Sequence, residues 1–173
     1  ASMGAGGLPL VRIINGANTS STLMEIMVYD RAFTGGIFVA TGDVNHDGIL
    51  DIVTGAGPGG GPHVKAFSGA NASELASFFA YTTAFTGGVS VAAADLTGDG
   101  FAEIVTGAGP GGGPHVKVFS GNGYAMIQEF MAYTLDFTGG VYVSAGDYLS
   151  DGKLEIITGA GAGGGPHVKV WDY

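Results

Sequence analysis

The chain has 173 residues, and its 46% hydrophobic content is enough to form one domain with a buried core. A net charge of −9 argues against nucleic acid as a partner, because phosphate contacts need clustered basic residues. The absence of cysteine excludes disulfides and thiolate metal sites, and no run of about 18 apolar residues is present to span a membrane.

The predicted elements are short strands along the whole chain. Segments rich in β-branched and aromatic residues and bounded by Gly, Pro, Asn and Asp are typical of strands, and none has room for a helix. Residues 1–7 are interpreted as a tag or a disordered start. The strands are predicted at 8–14, 23–29, 37–41, 51–54, 63–67, 75–81, 89–93, 104–106, 115–119, 126–133, 141–145, 155–158 and 167–171. The sequence therefore predicts an all-β fold.

The strands belong to a repeat with a period of 52 residues, marked by Asp43, Asp95 and Asp147. Four-stranded units of about this length are the signature of β-propeller blades. We predict a partial blade at 8–30, full blades at 37–81 and 89–133, and a partial blade at 141–171. The sequence Phe-Thr-Gly-Gly recurs at 33–36, 85–88 and 137–140, where it is predicted to be a packing anchor.

The number of blades bears on assembly. Known propellers close with roughly four to eight blades, whereas this chain supplies about three. An open array would leave strand edges and apolar blade faces exposed. We therefore expect a partial propeller that a second copy completes, as a homodimer or another self-assembly, or else a piece of a longer repeat protein.

An acidic loop follows the first strand of the first full blade. Side-chain oxygens alternate there, a glycine at the sixth position permits a sharp bend, and the seventh position can offer its carbonyl. Such loops suit calcium, which takes six to eight oxygen ligands. An ordinary Asp/Asn/Gly turn is the alternative interpretation. The candidate ligands are Asp43, Asn45, Asp47, the carbonyl of Ile49, and Asp51.

The loop recurs twice with changes at the third position. A strand is predicted after each loop and no Glu stands at position twelve, which argues against an EF-hand. Thr97 and Leu149 replace the amide of the first loop, and Ser150 is a hydroxyl next to Leu149. The second set of candidate ligands is Asp95, Thr97, Asp99, the carbonyl of Phe101, and Glu103; the third is Asp147, Asp151, the carbonyl of Lys153, and Glu155.

The acidic loop, the strand after it and the following Gly-Ala-Gly-Pro resemble the FG-GAP repeat from about residue 8 to 171. That family forms the calcium-binding propeller blades of integrin α-subunits and of many bacterial extracellular proteins. The resemblance implies that the calcium loop joins the first and second strands of a blade. It also implies a calcium-stabilised binding or scaffold module, often in adhesion and in some relatives for sugars. Thr97 and Leu149 depart from the family's acid or amide.

Two other motifs recur with the repeat. The glycine-rich turn at 55–60 does not fit nucleotide binding, because no Lys-Ser/Thr follows it and the next element is a strand. The sequence Pro-His-Val-Lys occurs three times, with His and Lys on one face of a strand. It suggests either a repeated ligand site or, the interpretation we favour, hydrogen bonds and ion pairs between blades.

No unique catalytic set is present, because Ser, His and Asp recur with the repeat. We therefore expect no enzyme activity, and a calcium-binding module of a secreted or cell-surface bacterial protein that serves adhesion or scaffolding. A calcium-dependent lectin is the alternative, with protein or glycan ligands. An accessory domain of a hydrolase, or an engineered fragment that self-assembles, is a further alternative.

Overall fold

The computed structural model describes residues 4–173, which form thirteen strands and no helix. The all-β prediction is confirmed, and the predicted strand bounds lie within two residues of the observed ones. The strands are β1 (Leu10–Ile14), β2 (Thr22–Met27), β3 (Ile37–Gly42), β4 (Asp51–Ala56), β5 (His63–Phe67), β6 (Glu74–Phe79), β7 (Val89–Ala94), β8 (Glu103–Ala108), β9 (His115–Phe119), β10 (Met126–Met131), β11 (Val141–Gly146), β12 (Glu155–Ala160) and β13 (Val168–Trp171).

The strands form four antiparallel sheets in chain order. The first sheet contains β1 and β2, the second β3 to β6, the third β7 to β10, and the fourth β11 to β13. Strands that follow one another in a sheet are hydrogen-bonded neighbours, as expected for propeller blades. Within residues 4–173 the sheets do not close into a ring. Of the described residues, none belongs to a helix long and apolar enough to cross a membrane.

The register places the two kinds of loop at opposite ends of each sheet. In the second sheet Gly42 pairs with Asp51 at the end that carries the acidic loop. Ile37 pairs with Ala56 at the other end, where the glycine-rich turn leads into β5. We call these the acidic end and the glycine end.

Apolar cores lie between neighbouring sheets. β4 and β8 are buried along their whole length, because each has a core on both faces. Burial of each Val or Ile side chain contributes about 1.5–3 kcal/mol. The clusters include Val11, Val28 and Ile52 between the first and second sheets, Val53, Val64 and Ile104 between the second and third, and Val105, Val118 and Ile156 between the third and fourth.

A tyrosine after the last strand of each of the first three sheets links that sheet to the next one. The hydroxyl of Tyr81 donates to the carbonyl of His115 at 2.9 Å, and burial raises the pKa of Tyr81. The equivalent bonds are Tyr29 to His63 at 2.9 Å and Tyr133 to His167 at 3.0 Å. A phenol–carbonyl bond therefore recurs at every junction between sheets.

The glycine end supplies a second link between sheets. The amide of Gly59 donates to the carbonyl of Thr86 at 2.9 Å, so the glycine turn of the second sheet meets the connector that leads to the third. The ring of Phe85 in that connector packs edge-on against Tyr81, with centroids 6.0 Å apart. The Phe-Thr-Gly-Gly segment is therefore a packing element at this junction.

The described part of the predicted start, residues 4–7, lies beside the first connector. Gly6 donates its amide to the carbonyl of Thr34 at 2.8 Å. The glycine turns of later repeats make the same type of bond, from Gly59 to Thr86 and from Gly111 to Thr138. Residues 1–3 lie outside the described residues.

In the first two copies of the Pro-His-Val-Lys motif, the His and Lys contact the last strand of their own sheet. Lys65 Nζ lies 2.7 Å from Glu74, and His115 Nε2 lies 2.9 Å from Glu129. The expectation that ion pairs join neighbouring blades is therefore wrong for these pairs, because the acidic partners stand on the adjacent strand of the same sheet. Contact between sheets comes from Lys169, which donates to the carbonyl of Ala132 at 2.8 Å.

Candidate metal centre

Three acidic loops lie at the acidic end, between the first and second strands of the second, third and fourth sheets. Loop one comprises residues 43–51, loop two residues 95–103 and loop three residues 147–155. Each loop is numbered from position one, its first aspartate, to position nine, the first residue of the following strand.

The three loops share one backbone conformation. Positions four and six have positive φ in all of them, and glycine at position six adopts this conformation without strain. The φ values are 59° for His46, 75° for Gly98 and 58° for Ser150 at position four, and 82° for Gly48, 90° for Gly100 and 86° for Gly152 at position six. The changes at position three therefore do not alter the path of the loop.

In each loop the aspartate at position one accepts hydrogen bonds from the backbone amides at positions five and six, and Asp95 accepts a third from Gly98 at 2.8 Å. Asp43 accepts from the amide of Asp47 at 3.1 Å and from that of Gly48 at 2.8 Å. The corresponding distances are 3.1 and 2.9 Å at Asp95, and 3.1 and 3.1 Å at Asp147. The loop backbone thus holds each of these carboxylates in the same place.

The aspartate at position five accepts from the amide at position seven. The distances are 2.8 Å from Ile49 to Asp47, 2.9 Å from Phe101 to Asp99 and 3.0 Å from Lys153 to Asp151. In loop one the side-chain Nδ2 of Asn45 also donates to Asp47 at 3.0 Å. Leu149, at position three of loop three, is 57% exposed and offers no oxygen from its side chain.

The loops differ in the hydrogen bonding of the carboxylate at position nine. Both oxygens of Asp51 are satisfied, because Oδ2 accepts from Val44 and Oδ1 from Gly69, each at 3.0 Å. Glu103 Oε2 accepts from the amides of Leu96 and Thr97 at 2.9 and 3.1 Å. Its Oε1 is buried and has no hydrogen-bond partner.

Glu155 repeats the arrangement of Glu103. Its Oε2 accepts from the amides of Tyr148 and Leu149 at 2.7 and 3.2 Å, and its Oε1 is also buried without a partner. Both glutamates are fully buried. Loops two and three therefore each contain a carboxylate oxygen that has lost its water without gaining a protein donor.

The electrostatics of position nine disfavour a free carboxylate. Burial raises the pKa of Glu103, and the nearby charges of Asp99 and Asp95 raise it further, against the lowering effect of its two backbone donors. Burial likewise raises the pKa of Asp51, with smaller contributions from Asp47 and Asp43. Negative charge is thus concentrated around position nine of loops one and two.

The structure brings the predicted ligands of each loop into one short turn, but carboxylates alone do not form a metal centre. Among residues 4–173, no three His, Cys, Asp or Glu side chains lie close enough together to hold a metal ion by themselves. A cation in these loops would need amide, hydroxyl, carbonyl or water oxygens as well. All of these are hard donors of the kind that calcium prefers.

Sequence reasoning missed two contacts of the loops. Gly69, in the turn between β5 and β6, fixes one oxygen of Asp51, and the turn sequence Ser-Gly that recurs at 120–121 was the available signal. His46 contacts loop two, and no repeated motif marks it, because Gly98 and Ser150 occupy its place in the other loops.

Three equivalent clefts lie at the glycine end, with volumes of about 520, 330 and 430 Å³. Each is bounded by a tyrosine and a phenylalanine from one sheet and by a glycine turn and a histidine from the next. In the second cleft these residues are Tyr81, Phe85, Gly112 and His115, with Lys117 beside them. The clefts and the acidic loops are therefore at opposite ends of the sheets.

Family models match the repeats whose geometry is described above. Residues 43–106, which include loops one and two, match the FG-GAP-like repeat, and residues 87–126 match the FG-GAP repeat. These residues are therefore similar to FG-GAP repeats. The resemblance predicted from the sequence is thus confirmed for the central part of the chain. FG-GAP repeats suggest a β-propeller-type module, are often related to adhesion and are typical of extracellular proteins.

Proposed function

We propose that this chain is a non-enzymatic, calcium-binding FG-GAP module of a secreted or cell-surface bacterial protein, used for adhesion or scaffolding. The observation that carries the calcium proposal is the buried, unpartnered Oε1 of Glu103, which recurs at Glu155. A buried polar atom without a partner costs about 1–3 kcal/mol, and more when it is charged. A cation that the oxygen could ligate would remove this cost.

The donor set fits calcium better than other biological cations. Calcium accepts six to eight oxygens in flexible geometry, whereas zinc sites use mainly sulfur and nitrogen ligands. In loop two the ion would be held by Asp95, Thr97, Asp99, the carbonyl of Phe101, and Glu103. The matching positions of loops one and three would hold the other ions. Bound calcium would neutralise the acidic end and fix each loop to its sheet.

Repetition favours a binding or scaffold role over catalysis. The same loop, tyrosine link and glycine turn recur at each junction, and an active site needs a unique set of groups. Calcium at extracellular concentrations would keep the loops ordered.

A calcium titration tests this proposal. We expect isothermal titration calorimetry to show three calcium ions per chain in the wild type and two in the Glu103→Gln variant, because the substitution removes one charged ligand. Glu74→Gln serves as the control, since Glu74 lies on β6 and pairs with Lys65 away from the loops. Absence of binding, or an unchanged stoichiometry in Glu103→Gln, would contradict the proposal.

A calcium-dependent lectin is the second candidate, and the three equivalent clefts favour it. Each cleft combines aromatic rings with polar side chains, a combination that suits a sugar. The clefts lie at the glycine end, so a calcium ion in an acidic loop would stabilise the sheets and would not contact the sugar. The adhesion or scaffold role remains our first proposal, because the unpartnered oxygens are in the loops.

We also propose that copies of the 173-residue chain associate through open sheet edges. β13 is the edge strand of the fourth sheet, and its Val168 and Val170 are 65% and 38% exposed. Unpaired, apolar edges are prone to pair with another chain. Light scattering is expected to show a dimer or larger species that Val168→Lys weakens, whereas a monomeric wild type would refute this proposal.

A further inference from the structure

Loops one and two contact each other directly through His46. Its Nδ1 lies 2.7 Å from the carbonyl oxygen of Gly100, and its ring stacks on Phe101 with centroids 5.1 Å apart and planes 28° from parallel. The amide of Ala102 also donates to the carbonyl of Asp43 at 2.7 Å. Three consecutive residues of loop two therefore contact loop one.

Gly100 and Phe101, the residues of loop two that contact His46, also make hydrogen bonds within loop two. The amide of Gly100 donates to Asp95, and the amide of Phe101 donates to Asp99. Phe101 also stands at position seven, whose carbonyl is a candidate ligand. Any ordering of loop two therefore fixes both the acceptor and the ring that hold His46, and His46 is itself part of loop one.

The second and third loops provide an internal comparison. Gly98 occupies position four of loop two and has no side chain with which to reach loop three. Within residues 4–173, no hydrogen bond or ring contact joins residues 95–103 to residues 147–155. The direct link is thus confined to loops one and two.

We propose that loops one and two bind calcium cooperatively, and that His46 carries the coupling between them. This inference rests on the proposed function, because it assumes that both loops take calcium. Binding to loop two would order Gly100 and Phe101, so that loop one meets a smaller ordering cost when its own ion arrives. Linkage requires the same effect in the opposite direction. Loop three would bind independently.

A double-mutant cycle monitored by NMR of backbone amides measures calcium binding to each loop separately. The amide signals of Gly48, Gly100 and Gly152 report loops one, two and three during a calcium titration. Glu103→Gln is expected to raise the calcium midpoint of the Gly48 signal about fivefold or more and to leave that of Gly152 unchanged. In the His46→Gly background, the same substitution is expected to raise the Gly48 midpoint by clearly less, since only the backbone bond from Ala102 to Asp43 still joins the loops.

Glycine is chosen because Gly98 has the same left-handed backbone at this position. His46→Asn is a second variant, because Asn tolerates positive φ and its Nδ2 can donate to Gly100 in place of the histidine Nδ1, so that only the stacking on Phe101 is lost. Ser150→Gly is the control at position four of loop three and should leave the cycle unchanged. If Glu103→Gln shifts the Gly48 midpoint equally with and without His46, the proposed coupling is wrong, although the calcium-binding proposal is unaffected. If none of the three signals responds to about 10 mM calcium, the proposed function itself fails.

Discussion

Removal of calcium by a chelator is expected to lower the thermal unfolding midpoint by about 5–10 °C for each loop that was occupied. A ligand at 100 times its dissociation constant stabilises the folded state by about 2.7 kcal/mol per independent site. For a domain of this size, each kcal/mol shifts the midpoint by about 2–4 °C. The structural reason is that the buried carboxylates of Glu103 and Glu155 have unpartnered oxygens in the absence of a cation. Differential scanning calorimetry with calcium and with chelator measures the shift.

Glu103→Gln and magnesium provide the controls for this experiment. The variant should show a smaller calcium shift than the wild type, because one loop loses a ligand. Magnesium should stabilise the protein less, since it demands near-ideal octahedral geometry and gives up its waters reluctantly. Identical midpoints in calcium and in chelator would show that the loops are stable turns without an ion.

Gly109→Ala is expected to destabilise the fold by about 3 kcal/mol, at the upper end of what overpacking usually costs. An added Cβ would overlap the carbonyl oxygen of Gly87 and would lie 2.9 Å from the carbonyl oxygen of Gly88. Both neighbours are backbone atoms of the connector between sheets, so neither can move like the end of a side chain. Urea unfolding monitored by tryptophan fluorescence gives the difference, because Trp171 is the single tryptophan.

Gly146→Ala is the matched control, because a Cβ on this glycine, the last residue of β11, would meet nothing within 4 Å. Its effect should stay within about 0.5 kcal/mol. Equal stabilities for the two variants would mean that the close contact of Gly109 with Gly87 and Gly88 does not stabilise the third sheet.

The fold was largely predictable from the sequence. The β-branched runs predict the strands, and the period of 52 residues predicts how the strands group into sheets. The residue at which the fourth strand of a sheet ends was harder to predict. The apolar run 75–81 was predicted as strand, but β6 ends at Phe79. Tyr81 leaves the sheet because its hydroxyl bonds to His115 in the next sheet, and a contact across 34 residues has no local signal.

The site was predictable only in part. Alternating aspartates and a glycine specify positions one, five and six, since these residues bond within the same turn. The state of position nine depends on a more distant group. Asp51 is satisfied because Gly69 reaches it from another turn, whereas Glu103 keeps an oxygen free. Residue type alone ranks loop one as the fullest oxygen set, but the unpartnered carboxylate oxygens lie in loops two and three.

The position of a calcium ion in a crystal structure tests the central claim most directly. Crystals grown with calcium should show an anomalous peak in loop two, about 2.3–2.6 Å from Glu103 Oε1 and from a carboxylate oxygen of Asp95. The second glutamate site, at Glu155, should show the same feature. A well-ordered loop two in saturating calcium with a water molecule or a protein donor on Glu103 Oε1, and with no peak, would contradict the account.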